Sequence, residues 1–388
     1  RQIQRGFEQS EFEQRTIRAQ VAMRTKQLDA LLLTTEPEVR YFTGFHTQFF
    51  ESPTRPWFVV VPATHKPIAV IPEIGATGMQ STWIEDIRTW PSPQPEDDGI
   101  SLLADTLNAL PSRFGRLGVP LGTPSVLRMP AADYESLVQR IAFTISDCAL
   151  LLHQLRFVKS PAEIEKIAMA CEITSNAFLE IAQTSSPGES EIEICRRMKI
   201  DLLERGADSI PYLVAGSGLG GYGSIIMGPT DRLLSDGDVL IIDTGTTYDG
   251  YFCDFDRNLA FGRIPDDTRR AHEVIFHATA AGFAAAYPGA TTSEVWAAMW
   301  KELEEGGALG NSVGRMGHGL GMQLTEWPSV RAGDDTPLSP GAVITLEPGM
   351  TFAPGKQLVH EENIAITEDG ARYLSLRASA EMPVVTNC

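Results

Sequence analysis

The stretch from Leu240 to Arg257 constrains this chain more than any other. Val239 to Ile242 is a run of β-branched and leucine side chains, the composition of a buried strand. Gly245, Asp249 and Gly250 supply turn chemistry, and the strand pattern resumes from Tyr251 to Leu259. A hairpin of this kind brings Asp243 and Asp254 side by side on neighbouring strands. Two carboxylates pressed together in a hydrophobic setting repel each other unless a cation lies between them. A pair of turn aspartates on a surface hairpin needs no cation, so the choice rests on what further ligands the chain offers. Alternation turns Cys253 to the strand face opposite Asp254.

Three later stretches add such ligands. Gly317-His318-Gly319-Leu320-Gly321 sets one histidine among glycines, which allow close approach of backbone and ion. Ile344 to Gly349 ends an apolar strand on Glu347, and a buried glutamate needs a partner. Val359 to Ile366 embeds charged groups in a strand, with His360 and Glu362 on one face by alternation. Each alone is equally a satisfied or exposed polar residue. Together they place every donor in one domain, at a strand end or glycine turn. Four carboxylates and one histidine suit two divalent ions of Mn, Co, Zn or Fe, about 3.5–4 Å apart and sharing a bridging hydroxide.

With 388 residues, two domains are expected. Strands alternate with helices over the first 150 or so residues: a helix at 11–27, strands at 28–33, 57–62 and 68–71, a helix at 101–110, a strand at 116–119 and a helix at 131–141. Ser160, Pro161 and Glu163 then read as the capped start of a long helix to about Thr184. Helices at 189–205 and 285–306 follow. The division is 1–154 for an α/β domain and 155–388 for an α+β domain. The net charge of −18 argues against nucleic acid or an anionic membrane as partner. No apolar run reaches the length of a membrane span. The start, Arg1 to Arg5, lacks an apolar signal core, and five scattered cysteines (Cys148, Cys171, Cys195, Cys253 and Cys388) suit a reducing compartment, so the expected location is the cytoplasm.

On these residues the chain resembles the pita-bread metallopeptidase family of prolidase, aminopeptidase P, methionine aminopeptidase and creatinase. Asp243 and Asp254 match its paired aspartate motif, His318 its GHGxG histidine, Glu347 its LEPG glutamate, and Glu362 the glutamate before its final strand. The first 150 residues resemble the prolidase and creatinase N-terminal domain. The resemblance implies an α/β N-terminal domain plus an α+β pita-bread C-terminal catalytic domain, two divalent metal ions, and a homodimer. In creatinase-like dimers the N-terminal region reaches the partner's active site. The cluster Tyr41, Phe45, His46, Phe49, Phe50, Arg55 and Trp57 is then a candidate for substrate recognition, or else a loop packed on its own domain.

The sequence departs from the peptidases around the metals. Thr325 stands where they carry the histidine of an HExP motif, and Ile225 to Pro229 lacks a further histidine. A threonine hydroxyl cannot hold an oxyanion as an imidazolium does. His360 stands where arginine is common, and Asp256 shares a strand face with Asp254, placing it to support the ligands. The expected activity is metal-dependent hydrolysis of an amide or peptide C–N bond in a small molecule, either an Xaa-Pro dipeptide or a cyclic amide of the ectoine type. Glu347 would shuttle the proton, with His360 as a second catalytic group. The rivals are a lyase of the dimethylsulfoniopropionate type, against which Gly245 counts, and a non-catalytic binding protein on the same fold.

Overall fold

The computed structural model describes residues 3–310 and 314–385; Arg1, Gln2 and Cys388, used above, lie outside the described residues. The chain forms two compact units, residues 4–156 and Ile3 with the described residues from Phe157 onward.

The first unit is a six-stranded mixed sheet flanked by helices. Its elements are α1 (Gln9–Lys26), β1 (Ala30–Leu33), α2 (Glu36–Thr43), β2 (Phe58–Pro62), β3 (Ile68–Pro72), α3 (Ala76–Gln80), β4 (Asp86–Trp90), α4 (Ile100–Asn108), β5 (Arg116–Val119), α5 (Ala131–Arg140), β6 (Thr144–Asp147) and α6 (Ala149–Phe157). The strand order is β4-β3-β2-β1-β5-β6. Strands β1, β2 and β3 are wholly buried and apolar, which makes them readable from composition. The two edges, Asp-Ile-Arg-Thr-Trp and Thr-Ile-Ser-Asp, are only partly buried and largely polar. Such edges resist pairing with other chains and leave no hydrophobic signal in the sequence.

The second unit opens with α7 (Pro161–Thr184) and α8 (Glu191–Glu204), each started by a capping box. The Ser160 and Glu163 pair closes it in α7: the Ser160 hydroxyl accepts from the Glu163 N–H at 3.3 Å, and the Glu163 carboxylate from the Ser160 N–H at 2.8 Å. Then come β7 (Ser209–Leu219), β8 (Asp238–Tyr248), β9 (Tyr251–Phe252), β10 (Phe255–Phe261), α9 (Asp266–Ala285), α10 (Thr292–Glu305), β11 (His318–Gly319), β12 (Glu326–Ser329), β13 (Val343–Leu346), β14 (Gly349–Ala353), β15 (Lys356–Val359), β16 (Glu362–Ile366), β17 (Ala371–Tyr373) and β18 (Val384–Val385). One sheet runs β18-β10-β8-β7, a second β12-β11-β13-β16-β17, and β14 pairs with β15. Val239, Ile241, Ile275, Met299, Ile344, Leu346, Leu358 and Ile364 join both sheets and α9–α10 in one buried core.

Two expectations change here. The single helix at 285–306 is α10 alone, because Pro288 and Gly289 break the chain after α9. Helix α9 escaped notice because its buried face is Thr268, Ala271, His272, Ile275, Ala278, Thr279 and Gly282, mostly small or polar residues. The hairpin register also differs. Asp249 (φ 49°) and Gly250 (φ 82°) form a two-residue turn between paired Tyr248 and Tyr251. This is type I′ geometry, and it fixes the register by counting. Asp243 therefore faces Asp256, and Asp254 lies diagonal to it.

Candidate metal centre

Six acidic or imidazole side chains reach one cavity from separate elements. Asp243 comes from β8, Asp254 from the link before β10, Asp256 from β10, His318 from β11, Glu347 from the end of β13, and Glu361 from the break between β15 and β16. The glycines around His318 have a steric cause. Strand β11 is squeezed between β12 and β13: a Cβ on Gly317 (φ +142°) would lie 2.1 Å from the Thr345 carbonyl oxygen, and one on Gly319 2.3 Å from that of Trp327. Asn363 fixes the backbone of Asp254. Its Oδ1 accepts from the Asp254 N–H at 2.9 Å and its amide donates to the Asp254 carbonyl.

His318 Nδ1 lies 2.8 Å from the Gly319 carbonyl, which can only accept, so that nitrogen carries a proton. Nε2 then faces Asp254 Oδ2 at 3.2 Å and Glu347 Oε2 at 3.6 Å. Lone pairs meet there unless a proton or a cation stands between them. Burial opposes a charge on His318, but the Asp254 hydrogen bond and the Glu347 charge outweigh it and raise its pKa. Burial raises the pKa of Asp243, Asp256 and Glu361 far above the carboxylate range, and their neighbouring carboxylates add to the rise in each. Asp243 Oδ1, Asp256 Oδ1 and Glu361 Oε1 are buried without a hydrogen-bond partner. Asp254, His318 and Glu361 present donor atoms within 4.8 Å of one another. Orphaned carboxylate oxygens beside an imidazole nitrogen with a fixed tautomer match the donor chemistry of divalent transition-metal sites.

The position of Glu362 corrects the sequence reading. Its Oε1 accepts from His360 Nε2 at 3.0 Å and from the Ala378 N–H at 2.8 Å; its Oε2 accepts from Arg257 at 3.0 Å and from Ser375. Four donors saturate the carboxylate and leave no lone pair for a metal. Burial opposes its charge, yet Arg257 and His360 hold its pKa down at about 2. Alternation was right that His360 and Glu362 share a face, but that face points away from the cavity, and Glu361 takes the other. His360 is likewise no part of the cavity lining: it sits against Thr279 at 3.0 Å and stacks on Phe276. Asp256, expected only to support the ligands, enters the cavity itself. Thr325 is among the residues that line the cavity.

In the N-terminal unit, Tyr41 and Trp57 are core residues, each 1% exposed, and offer nothing to a substrate. Arg15 lies over the Tyr41 ring, and Trp57 packs on Phe45 and Phe50. His46 is exposed and pairs with Glu36 at 2.8 Å, while half-buried Arg55 lies over Phe49. Besides Glu361, the lining residues that went unread include a tyrosine and an arginine. Tyr212 donates to Asp243 Oδ2 at 2.6 Å, and Arg315 is a cation in the wall. Tyr212 has no local signal, because its role comes from the pairing of β7 with β8.

The family model of the metallopeptidase family M24 matches residues 165–368, and that of the creatinase/prolidase N-terminal domain residues 15–158. A probable dipeptidase PepE of Mycobacterium bovis is 28% identical over 370 residues, 95% of each chain. An Xaa-Pro dipeptidase of Pyrococcus furiosus is 29% identical over 228 residues, 58% of this chain and 65% of that one. The crystal structure of dipeptidase PepE from Mycobacterium ulcerans superposes with a TM-score of 0.86 at 27% identity, covering 98% of this chain and 100% of that one. With more than half its length matched, a creatinase-type domain ahead of a pita-bread domain, and its acidic cluster in the second, this chain belongs to metallopeptidase family M24.

Proposed function

We propose that the protein is a hydrolase of an amide C–N bond in a substrate of dipeptide size, working with two divalent cations held by Asp243, Asp254, His318, Glu347 and Glu361. The observation that carries this reading is the convergence of orphaned Asp243 Oδ1 and Glu361 Oε1 with His318 Nε2 on one cavity. The relatives named as dipeptidases support the peptide form of the substrate. Bound cations of this class supply acidified water and Lewis acidity.

The chain's own residues do the rest. Gly319 holds His318 in the tautomer that leaves Nε2 free to ligate. Glu347 takes a proton from the attacking water on its carboxylate and returns it to the departing nitrogen. Arg315 offers a charge to the substrate's carboxylate, and Ile225, Ile226, Leu324 and Met350 shield the reacting bond. No histidine besides His318 lines the cavity among the described residues, so Arg315 is the cation that stands in for the missing imidazoles.

The lyase reading loses ground on a steric count. A Cβ on Gly245 would meet the tip of the Leu324 side chain at 2.4 Å, so the aspartate of that lyase would need Leu324 to shift. The homodimer implied by the resemblance belongs to this reading, and light scattering at working concentration tests it. Metal analysis of purified protein, with a panel of dipeptides and small amides, tests the activity. Asp254→Asn should lose metal and turnover together; unchanged metal content in that variant would sink the assignment.

A further inference from the structure

A second cavity, of about 240 Å³, lies on the other face of β8 and β10. Ile242 and Leu259 line it, whereas Asp243 and Asp256 of the same strands line the metal cavity. Its remaining wall is largely apolar, with Phe178, Leu179, Ile181 and Leu376 prominent. Two side chains in that wall each keep one buried nitrogen without a hydrogen-bond partner. His272 is 5% exposed, and its Nδ1 is buried without a hydrogen bond. Its Nε2 lies 3.4 Å from the Ser379 carbonyl, which can only accept, so Nε2 carries the proton and Nδ1 is a vacant acceptor. Burial, and then nearby His360, push the His272 pKa down to about 4, which keeps the ring neutral at neutral pH. Arg377 is the second group. Its guanidinium lies 4.1 Å from the Phe276 ring centroid and 5.6 Å from that of Tyr373, its Nε is buried without a partner, and it makes no ion pair among the described residues.

A guanidinium without an ion pair and a neutral acceptor in the wall of one apolar cavity define a ligand class. The guanidinium calls for a carboxylate. Nδ1 calls for a hydrogen-bond donor, and the wall for a hydrocarbon body. A neutral hydroxyl supplies that donor without adding a second cation to a wall that already holds the unpaired Arg377. We infer that this cavity is a binding site for a small monocarboxylate with an apolar body and a hydroxyl, an apolar hydroxy acid, distinct from the acidic cavity.

Calorimetric titration of the full chain with α-hydroxyisocaproate tests this, with isocaproate and isocaproamide as comparisons. Saturable binding of the hydroxy acid is expected, about tenfold or more weaker for the amide and for the Arg377→Gln variant. The advantage of the hydroxy acid over isocaproate should vanish in His272→Leu. Ala182→Phe, which fills the cavity from α7, should abolish binding, while Arg315→Gln in the metal cavity should leave it intact. Circular dichroism melts identify any variant that fails to fold, and the amide comparison on the unaltered protein keeps the test decisive in that event. Absence of saturable binding overturns the inference. So does binding that survives Arg377→Gln and Ala182→Phe but is lost in Arg315→Gln, which would place the acid in the metal cavity.

Discussion

Asp256 stands directly opposite Asp243 across the β8–β10 pair, and each keeps one buried carboxylate oxygen with no partner. Paired carboxylates in this position destabilise the fold whenever both are ionised without a compensating cation. The acidic cluster is therefore a cost to stability that a bound cation would remove, and its behaviour with pH follows.

Asp243, Asp256 and Glu361 have folded pKa values well above their unfolded ones, which lie near 4. Between those two values the native state binds more protons than the unfolded state, so stability falls as pH rises. Glu362 has the opposite sign: its folded pKa is about 2, so its contribution is lost as pH falls from the unfolded value toward that one. Chelator-treated protein should thus lose melting temperature as pH rises from about 5 to 7, beyond the Glu362 window, because three such carboxylates outweigh His272, whose folded pKa of about 4 acts with the opposite sign. Added Mn or Co should restore it at neutral pH by binding the native state. A chelated protein whose melting temperature climbs over that range would show that the cluster needs no cation.

Glu361 and Glu362 are adjacent and chemically alike, so a paired substitution separates their roles. Glu361→Gln removes a charge from a cluster of like charges. It should lower metal content while leaving the chelated protein as stable as before or more so. Glu362→Gln removes the buried carboxylate that neutralises the part-buried Arg257 guanidinium and should cost about 3 kcal/mol of stability. Thermal melts with metal analysis read both; metal lost only in Glu362→Gln would reverse the assignment.

The parts that were legible in the sequence carry their cause locally. The Asp249-Gly250 turn, the Ser160 and Glu163 capping box, and the glycines beside His318 each show their constraint in neighbouring residues. Asp243, Asp254, His318 and Glu347 could be singled out because strand ends and glycines mark them. What stayed hidden depends on register. Glu361 and Glu362 differ only in which face of β16 they take, and the chain bends at the His360 to Glu361 break after β15. Tyr212 and Arg315 are brought in by pairing and by a loop far from the aspartates. Tyr41 and Trp57 looked like a recognition surface because aromatic residues serve cores and binding sites equally well, and burial alone decides between them.

His360 ties Glu362 to Thr279 and Phe276 on the face away from the acidic cavity. His360→Ala should cost about 1–3 kcal/mol of stability through the lost hydrogen bonds. Metal content should be unchanged, and kcat should stay within a few fold. A large equal drop in kcat and kcat/KM with metal retained would put the imidazole back into the reaction.

Arg315 carries the last prediction. It is a cation in the wall of the metal cavity, and its charge acts on both Asp254 and His318. If it receives the substrate's carboxylate, Arg315→Gln should raise KM by about 10–100-fold, the worth of one charge-assisted hydrogen bond, with kcat nearly unchanged. A substrate amidated at that carboxylate should already show the weaker binding and should lose little more in the variant. If Arg315 instead stabilises charge that develops during bond breaking, kcat falls and KM does not, and the amidated substrate suffers the same loss as the acid. The two patterns differ in a single kinetic comparison, which makes this substitution the sharpest probe of substrate class: the first outcome selects small acids such as dipeptides, and the second admits neutral amides.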